Sequence, residues 1–365
     1  MNIITNLLYI LAGVLLLGII VAVHEFGHFI SARIVGIPVK EFSIGFGPKL
    51  IAWKSKKHET IFKISAIPMG GYCMYYGETA SDPDAKSNEE EVYAADDPRL
   101  YHNHKLWKRM FTVLSGPLMN FVLAIVVAII MVAAYGSKVE GYRIGDFAEV
   151  SPAREAGLQV HDQILRIDGM DVNDGTQNGI SSTINRLASP NKALTFEVLR
   201  DNTLLEYKVT PLYSEANGRY LIGTTIYPIL GKIESSNVLP EALRYCKEAS
   251  TAILNALGKL FTTGEGFNET AGPIGVIKTI GTETQRGGLS VYLNLAVIIS
   301  INLGLFNLIP IPGLDGARFL LMVVEGIRRK PLNQKIEGYI HMVGYVLLFG
   351  LLIFITIRDV FRLFG

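Results

Sequence analysis

The stretch LLYILAGVLLLGIIVAVHEFGHFI, residues 7–30, combines a long apolar run with a metal-binding motif. The run before His24 carries no charge and has about the length of a helix that crosses a bilayer. A helix places His24 and His28, at i and i+4, on one face, where both imidazoles can reach one metal ion. Glu25 between them can serve as a general base for a metal-bound water. Because ionisable groups are costly at membrane depth, the stretch predicts a functional metal site inside a membrane.

Composition supports a membrane protein with a soluble part. The chain has 365 residues, of which 49% are hydrophobic and 18% are charged, whereas soluble domains carry about 25% charged residues. The net charge of +1 gives no argument for a nucleic-acid partner.

Four apolar segments are long enough to cross a bilayer, at about 5–32, 111–135, 291–324 and 339–357. We therefore expect an α-helical polytopic membrane protein with four transmembrane helices. The third segment is interrupted by NLIPIPGLDG, residues 307–316. Such a break is tolerated at membrane depth only where protein or water satisfies the freed backbone groups.

Lysine and arginine follow the first and third spans, while MNIITN before the first span contains neither. The positive-inside rule therefore places those two segments in the cytoplasm and both termini outside. The metal motif then lies toward the cytoplasmic side, and residues 136–290 lie outside.

A catalytic zinc ion needs a third protein ligand and one open position for water. Asp315, in the interrupted third span, is the best candidate, and Glu325 is a weaker one nearer the cytoplasmic end. The side-chain amides of Asn307 and Asn120 are candidates for stabilising an oxyanion or the substrate backbone.

The stretch 60–76, TIFKISAIPMGGYCMYY, is rich in β-branched and aromatic residues and predicts a hairpin with its turn near 68–71. It is too apolar for a free cytoplasmic loop, so we expect it to re-enter the membrane beside the metal site. An edge strand there can bind unwound substrate as a further strand. The candidate substrate-contacting residues are Ile64, Ser65, Ala66, Gly70 and Gly71. The polar, acidic stretch 78–104 predicts a surface loop.

The segment after the second span predicts a compact domain of strands and short helices. SPAREAG and SSTINRLAS indicate helices, and two strands meet at Asp201-Asn202. Residues 237–263 have helical apolar spacing and fit a helix lying on a membrane surface. AGPIGV, residues 271–276, is predicted as a loop.

Taken in order, HEFGH, SGPLMN and the N-x-x-P-x-P-x-L-D-G pattern at 307–316 resemble the site-2 protease family of intramembrane zinc metalloproteases. GFGPKL and GGYCMYYGE resemble its bacterial regulator of sigma-E protease branch. The resemblance implies one zinc ion held by His24, His28 and Asp315, catalysis by Glu25, and a re-entrant β-loop. It also implies that G-L-x-x-x-D-x-I-x-x-I-x-G-x-x-V at 157–172 belongs to a circularly permuted PDZ domain.

The implied organisation has four parts: residues 1–135 with two spans, the metal motif and the β-loop; a single PDZ domain at 140–212; a post-PDZ segment at 213–290; and residues 291–365 with the last two spans. His161 replaces the glycine usual before the PDZ aspartate, so that turn can differ. The implied substrates are membrane-anchored single-span proteins, such as anti-sigma factors or remnant signal peptides, already cut outside the cell membrane. The implied enzyme is embedded in the bilayer as a monomer. The alternative functions are a membrane PDZ scaffold with a structural or vestigial metal site, and a metal transporter.

Overall fold

The computed structural model describes residues 3–77, 93–94, 96–172, 179–215, 218–231, 234–264, 266 and 270–364. Most of the predicted surface loop at 78–104 lies outside these residues. The chain forms two compact units, residues 1–128 with 243–365, and residues 129–242. Among the described residues, four helices are long and apolar enough to cross a membrane, in agreement with the predicted polytopic fold. They are α1 (Ile3–Val35), α2 (Leu106–Tyr135), α6 (Pro273–Leu308) and α8 (Gln334–Phe364).

The first unit places the metal motif on α1, which packs against α6. Leu16 and Ile20 of α1 are buried in one cluster with Ile280 and Ala296 of α6. Helix α6 begins at Pro273, so the prediction of a loop at 271–276 is wrong for its last four residues. Proline suits this position because the first helical residue needs no backbone donor.

The predicted break in the third span is confirmed, but the helices on either side differ from the expectation. Helix α6 ends at Leu308, and a separate helix of 14 residues, α7 (Asp315–Arg328), follows the loop 309–314. The chain around Gly288 also departs from helical geometry within α6. Because α6 is interrupted at Gly288, the predicted start at 291 lies close to the start of the second part of this helix, and the predicted span 291–324 runs past the loop into α7.

A small sheet lies between α1 and α2 in sequence and is formed by β1 (Val39–Lys54) and β2 (Ile61–Tyr75). Residues 41–44 of β1 pair with 61–64 on one side and with 71–74 on the other. Residues 51–54 pair with the opposite side of 61–64. The expected hairpin within 60–76 is therefore wrong in its pairing, because the segment 41–44 lies between its two predicted arms. Sequence alone could not show this, since the inserted strand comes from an earlier part of the chain.

The second unit contains a sheet with the strand order β10-β3-β4-β6-β7, in which β5 (Met170–Asp171) pairs with β4. The strands are β3 (Lys138–Phe147), β4 (Gln163–Ile167), β6 (Leu194–Arg200), β7 (Thr203–Val209) and β10 (Thr224–Gly231), and a separate pair is formed by β8 (Leu212–Ser214) and β9 (Arg219–Leu221). Helices α3 (Pro152–Glu155) and α4 (Gly179–Leu187) confirm the two predicted short helices. The core of the second unit contains Phe196, Ile164 and Ile144, which are completely buried.

The sheet of this unit extends past the predicted domain boundary at 212, because β10 pairs with β3. A strand that returns from a distant part of the chain leaves no local signal of where its domain ends. His161 has a positive φ of 76°, so the turn keeps the left-handed conformation despite the missing glycine. Helix α5 (Val238–Thr263) matches the amphipathic helix expected at 237–263.

Candidate metal centre and active site

Three metal-ligand atoms from two distant parts of the chain converge in the first unit. The Oδ2 atom of Asp315 lies 3.1 Å from Nε2 of His24 and 3.3 Å from Nε2 of His28, and the two Nε2 atoms are 3.2 Å apart. A tetrahedral zinc ion with bonds of about 2.0–2.1 Å holds its ligand atoms about 3.3–3.4 Å apart. The three atoms therefore have the spacing of one face of a zinc tetrahedron.

The donor set fits a metal ion chemically as well as geometrically. Asp315 Oδ2 is buried and has no hydrogen-bond partner within the described part of the chain. The Nδ1 atom of His28 donates to the carbonyl oxygen of Thr112 at 2.9 Å, which leaves the Nε2 lone pair directed at Asp315. Lone pairs that meet at such distances repel one another unless a cation or proton lies between them, so these residues suit zinc.

Helix α2 shapes the space around the two imidazoles. A side chain at Gly116 would overlap the ring of His28, so only glycine leaves that ring in place. Four residues further along α2, the amide of Asn120 contacts Nδ1 of His24 at 3.2 Å. The atom that faces Nδ1 of His24 is Nδ2 of Asn120, and Oδ1 of Asn120 has no hydrogen-bond partner among the described residues. Turning this amide by about 180° puts Oδ1 at Nδ1 of His24, where it accepts the Nδ1 proton and leaves Nε2 of His24 free for a metal ion. The SGPLMN stretch thus provides both clearance and support for the histidines.

Glu25 lies beside the three donors and faces a cavity of about 880 Å³. The backbone N–H of Cys73 donates to its carboxylate, and a Cβ at Gly71 would lie 3.1 Å from Cγ of Glu25. The segment 71–75 therefore runs directly past this carboxylate. A half-buried carboxylate held beside a metal site and open to a cavity has the placement of a general base.

The predicted substrate-contacting residues divide into two groups. Asn307, Ser65 and Gly71 line the cavity with the metal donors. Ile64, Ala66 and Gly70 are not among its lining residues, and the backbone of Ile64 pairs on both sides, with Ile44 and Ile51. Asn120 is completely buried, so it supports His24 where sequence reasoning expected a substrate contact.

The other candidate ligands lie away from the three donors. Glu325 forms an ion pair with Arg109 of α2, and both side chains are largely buried, which accounts for this carboxylate without a metal ion. His104, one of the remaining histidines, precedes α2; burial lowers its pKa, and Lys108 and Arg109 lower it further. In the part of the chain that the structure describes, His24, His28 and Asp315 form the one cluster of at least three metal-ligating residues.

Sequence reasoning missed Thr112, whose carbonyl orients His28, and Gly116, which makes room for it. The carbonyl carries no signal in the sequence. The glycine does carry a signal in the sequence, because Gly116-Pro117 within an otherwise apolar helix indicates that another element of the fold approaches closely there.

The fold and the site define a polytopic membrane metalloenzyme with an HExxH helix and a distant carboxylate ligand. The sequence model of the family described as "Peptidase family M50" matches residues 12–351 of the chain. The chain belongs to this family, and the resemblance to site-2 proteases is confirmed. It is 30% identical to the zinc metalloprotease RasP of Bacillus licheniformis over 427 aligned positions, covering 97% of this chain and 99% of the relative. It is 28% identical to RasP of Geobacillus kaustophilus, covering 97% and 98%. The chain is a zinc metalloendopeptidase of the intramembrane-cleaving class, which favours the enzyme over the scaffold and transporter alternatives.

Proposed function

We propose that His24, His28 and Asp315 bind the single zinc ion and that Glu25 is the catalytic base. The observation that carries this assignment is the 3.1–3.3 Å spacing of the three donor atoms. When bound, zinc lowers the pKa of a coordinated water to about 7 and polarises a carbonyl group. The two imidazoles and the carboxylate would hold the ion, and all three residues line the cavity from which water and substrate would reach it.

The role of Glu25 follows from its place on the cavity wall beside His24, His28 and Asp315. It takes a proton from the attacking water and transfers it to the leaving amine of the cleaved peptide. The Cys73 N–H and the close passage of Gly71 limit where the carboxylate can move. A base that is already held near the nucleophile does not have to move into position during the reaction, which lowers the entropic part of the barrier.

The substrate is proposed to be a membrane-anchored protein with one span, such as an anti-sigma factor or a remnant signal peptide, already trimmed outside. A transmembrane helix must unwind before a peptide bond can reach the zinc, and an extended segment then needs backbone partners. Residues 71–75 line the cavity beside Glu25, so substrate is expected to bind along this segment. Ser65 and Asn307 contribute polar groups to the same cavity.

Basic residues follow the first and third spans, which supports a site toward the cytoplasmic side of the cell membrane, with the β1–β2 sheet re-entering the bilayer from that side beside the metal donors. Residues 138–231 then form a PDZ domain outside the cytoplasm. Their sheet with α4 and the left-handed turn at His161 suit that fold. In this position the domain is expected to exclude substrates with bulky ectodomains from a monomeric enzyme.

The test uses purified protein in proteoliposomes with a single-span substrate whose ectodomain is either full-length or trimmed. Mass spectrometry of the products should place the cut within the apolar segment of the trimmed substrate. A zinc chelator should stop cleavage, and added zinc should restore it. Cleavage only outside the apolar segment, or cleavage unaffected by chelation, would show that the assignment is incorrect.

A further inference from the structure

The loop 309–314 joins α6 to α7 and determines where Asp315 lies, because α7 begins at that residue. Helix α8 contacts this loop directly although it provides none of the three metal donors. A Cβ at Gly344 of α8 would overlap the carbonyl oxygen of Pro312. A Cβ at Gly313 would in turn lie 3.0 Å from Cδ1 of Leu348. The loop therefore lies against α8 with no room for an added methyl group.

His341, one turn before Gly344, makes the polar contact between α8 and the loop. The backbone N–H of Gly313 donates to Nδ1 of His341 at 3.3 Å. His341 is buried, and its Nε2 has no hydrogen-bond partner within the described residues. A buried ring nitrogen without a partner is unfavourable, and an apolar side chain at this position would avoid that cost. The presence of histidine is therefore best explained by the acceptor that Nδ1 offers to Gly313.

We propose that His341 and Gly344 are positioning residues for the zinc site, which act by holding the 312–313 backbone and thereby Asp315. Metal ligands must lie within about 0.2 Å of their ideal distances. Asp315 comes two residues after Gly313, so a displaced loop moves its carboxylate away from the two imidazoles. The inference rests on the proposed ligand role of Asp315.

The first experiment compares His341→Leu with His341→Asn in the full-length protein. Asparagine places Oδ1 near the position of Nδ1 and keeps an acceptor, whereas leucine keeps bulk without one. We expect zinc affinity, measured by competition with a chromophoric chelator, to fall about 10–100-fold for leucine, as for other residues that orient metal ligands. Asparagine should recover most of this loss. Visible absorption of the cobalt-substituted protein should change for leucine and resemble wild type for asparagine.

The second experiment compares two glycines of the same helix. Gly344→Ala should weaken zinc binding by at least as much as His341→Leu, since the new methyl group pushes Pro312. Gly350→Ala is the matched control, because a Cβ there has nothing within 4 Å, and it should bind zinc like wild type. Equal affinities for Gly344→Ala and Gly350→Ala, or an asparagine variant as weak as the leucine variant, would overturn the proposal.

Asp315→Asn separates this proposal from the ligand assignment. If Asp315→Asn binds zinc as tightly as wild type, the ligand assignment fails. If Asp315→Asn loses zinc while His341→Leu and Gly344→Ala retain it with an unchanged cobalt spectrum, the ligand assignment stands and the positioning role fails.

Discussion

Replacing Glu25 with glutamine tests the catalytic base with little change in shape. The amide oxygen of the glutamine can still accept the Cys73 N–H that the carboxylate accepts, so the side chain should stay in place. Glu25 is not one of the three convergent donors, and zinc content should therefore remain at one per chain. What is lost is proton transfer, which contributes about 10²–10⁴-fold to enzymatic rates. At about 1.36 kcal/mol per factor of ten, the barrier should rise by about 2.7–5.4 kcal/mol.

The assay measures initial rates on a trimmed single-span substrate in proteoliposomes, with bound zinc determined in the same samples. Glu41→Gln is a suitable control, because Glu41 lines the same cavity and pairs with Lys63 at 2.7 Å. Because Glu41→Gln breaks a largely buried ion pair, the rate is measured per zinc-loaded folded molecule. On that basis the rate should fall by less than about tenfold, since Glu41 is not the group that transfers the proton. Turnover by Glu25→Gln within tenfold of wild type, with zinc bound, would refute the assignment of Glu25 as base.

Three further perturbations follow from particular contacts. Gly116→Ala forces a methyl group into the His28 ring and should lower zinc affinity by about 100-fold or more, whereas Gly258→Ala, with nothing within 4 Å, should have no effect. Zinc at about 1,000 times its Kd should stabilise the wild-type protein by about 4 kcal/mol, seen as a rise in Tm that Asp315→Asn lacks. Asp162→Ala removes a carboxylate that accepts two bonds from Arg200 and one from the Gln159 backbone. It should destabilise residues 129–242 by about 3 kcal/mol and speed their proteolysis in the intact protein.

Each of these outcomes can be contradicted directly. Unchanged zinc affinity in Gly116→Ala would mean that the His28 ring does not depend on the clearance from α2. A wild-type Tm that does not change when zinc is added would argue against a zinc site that forms only in the folded state. Proteolysis of Asp162→Ala at the wild-type rate would show that the Arg200 pair adds nothing to the stability of the second unit.

The local features of this protein were predictable because each depends on neighbouring residues. Charge-free runs of about 20 residues indicated the spanning helices, and the i, i+4 spacing of His24 and His28 placed both rings on one face. The prolines and glycines of 307–316 predicted the break before Asp315. The chemistry of zinc then required a third ligand at membrane depth, which left few candidates in the sequence.

Tertiary structure decided what depends on segments far apart in the chain. The insertion of residues 41–44 between 61–64 and 71–74, and the return of β10 to β3, arise from strand pairing that no local pattern encodes. The same applies to Asn120, which looked like a substrate contact and instead supports His24 across 96 positions of sequence. Helical periodicity shows which residues share a face, but only packing shows what that face meets, because hydrogen bonds and close contacts between distant elements form after the chain has folded.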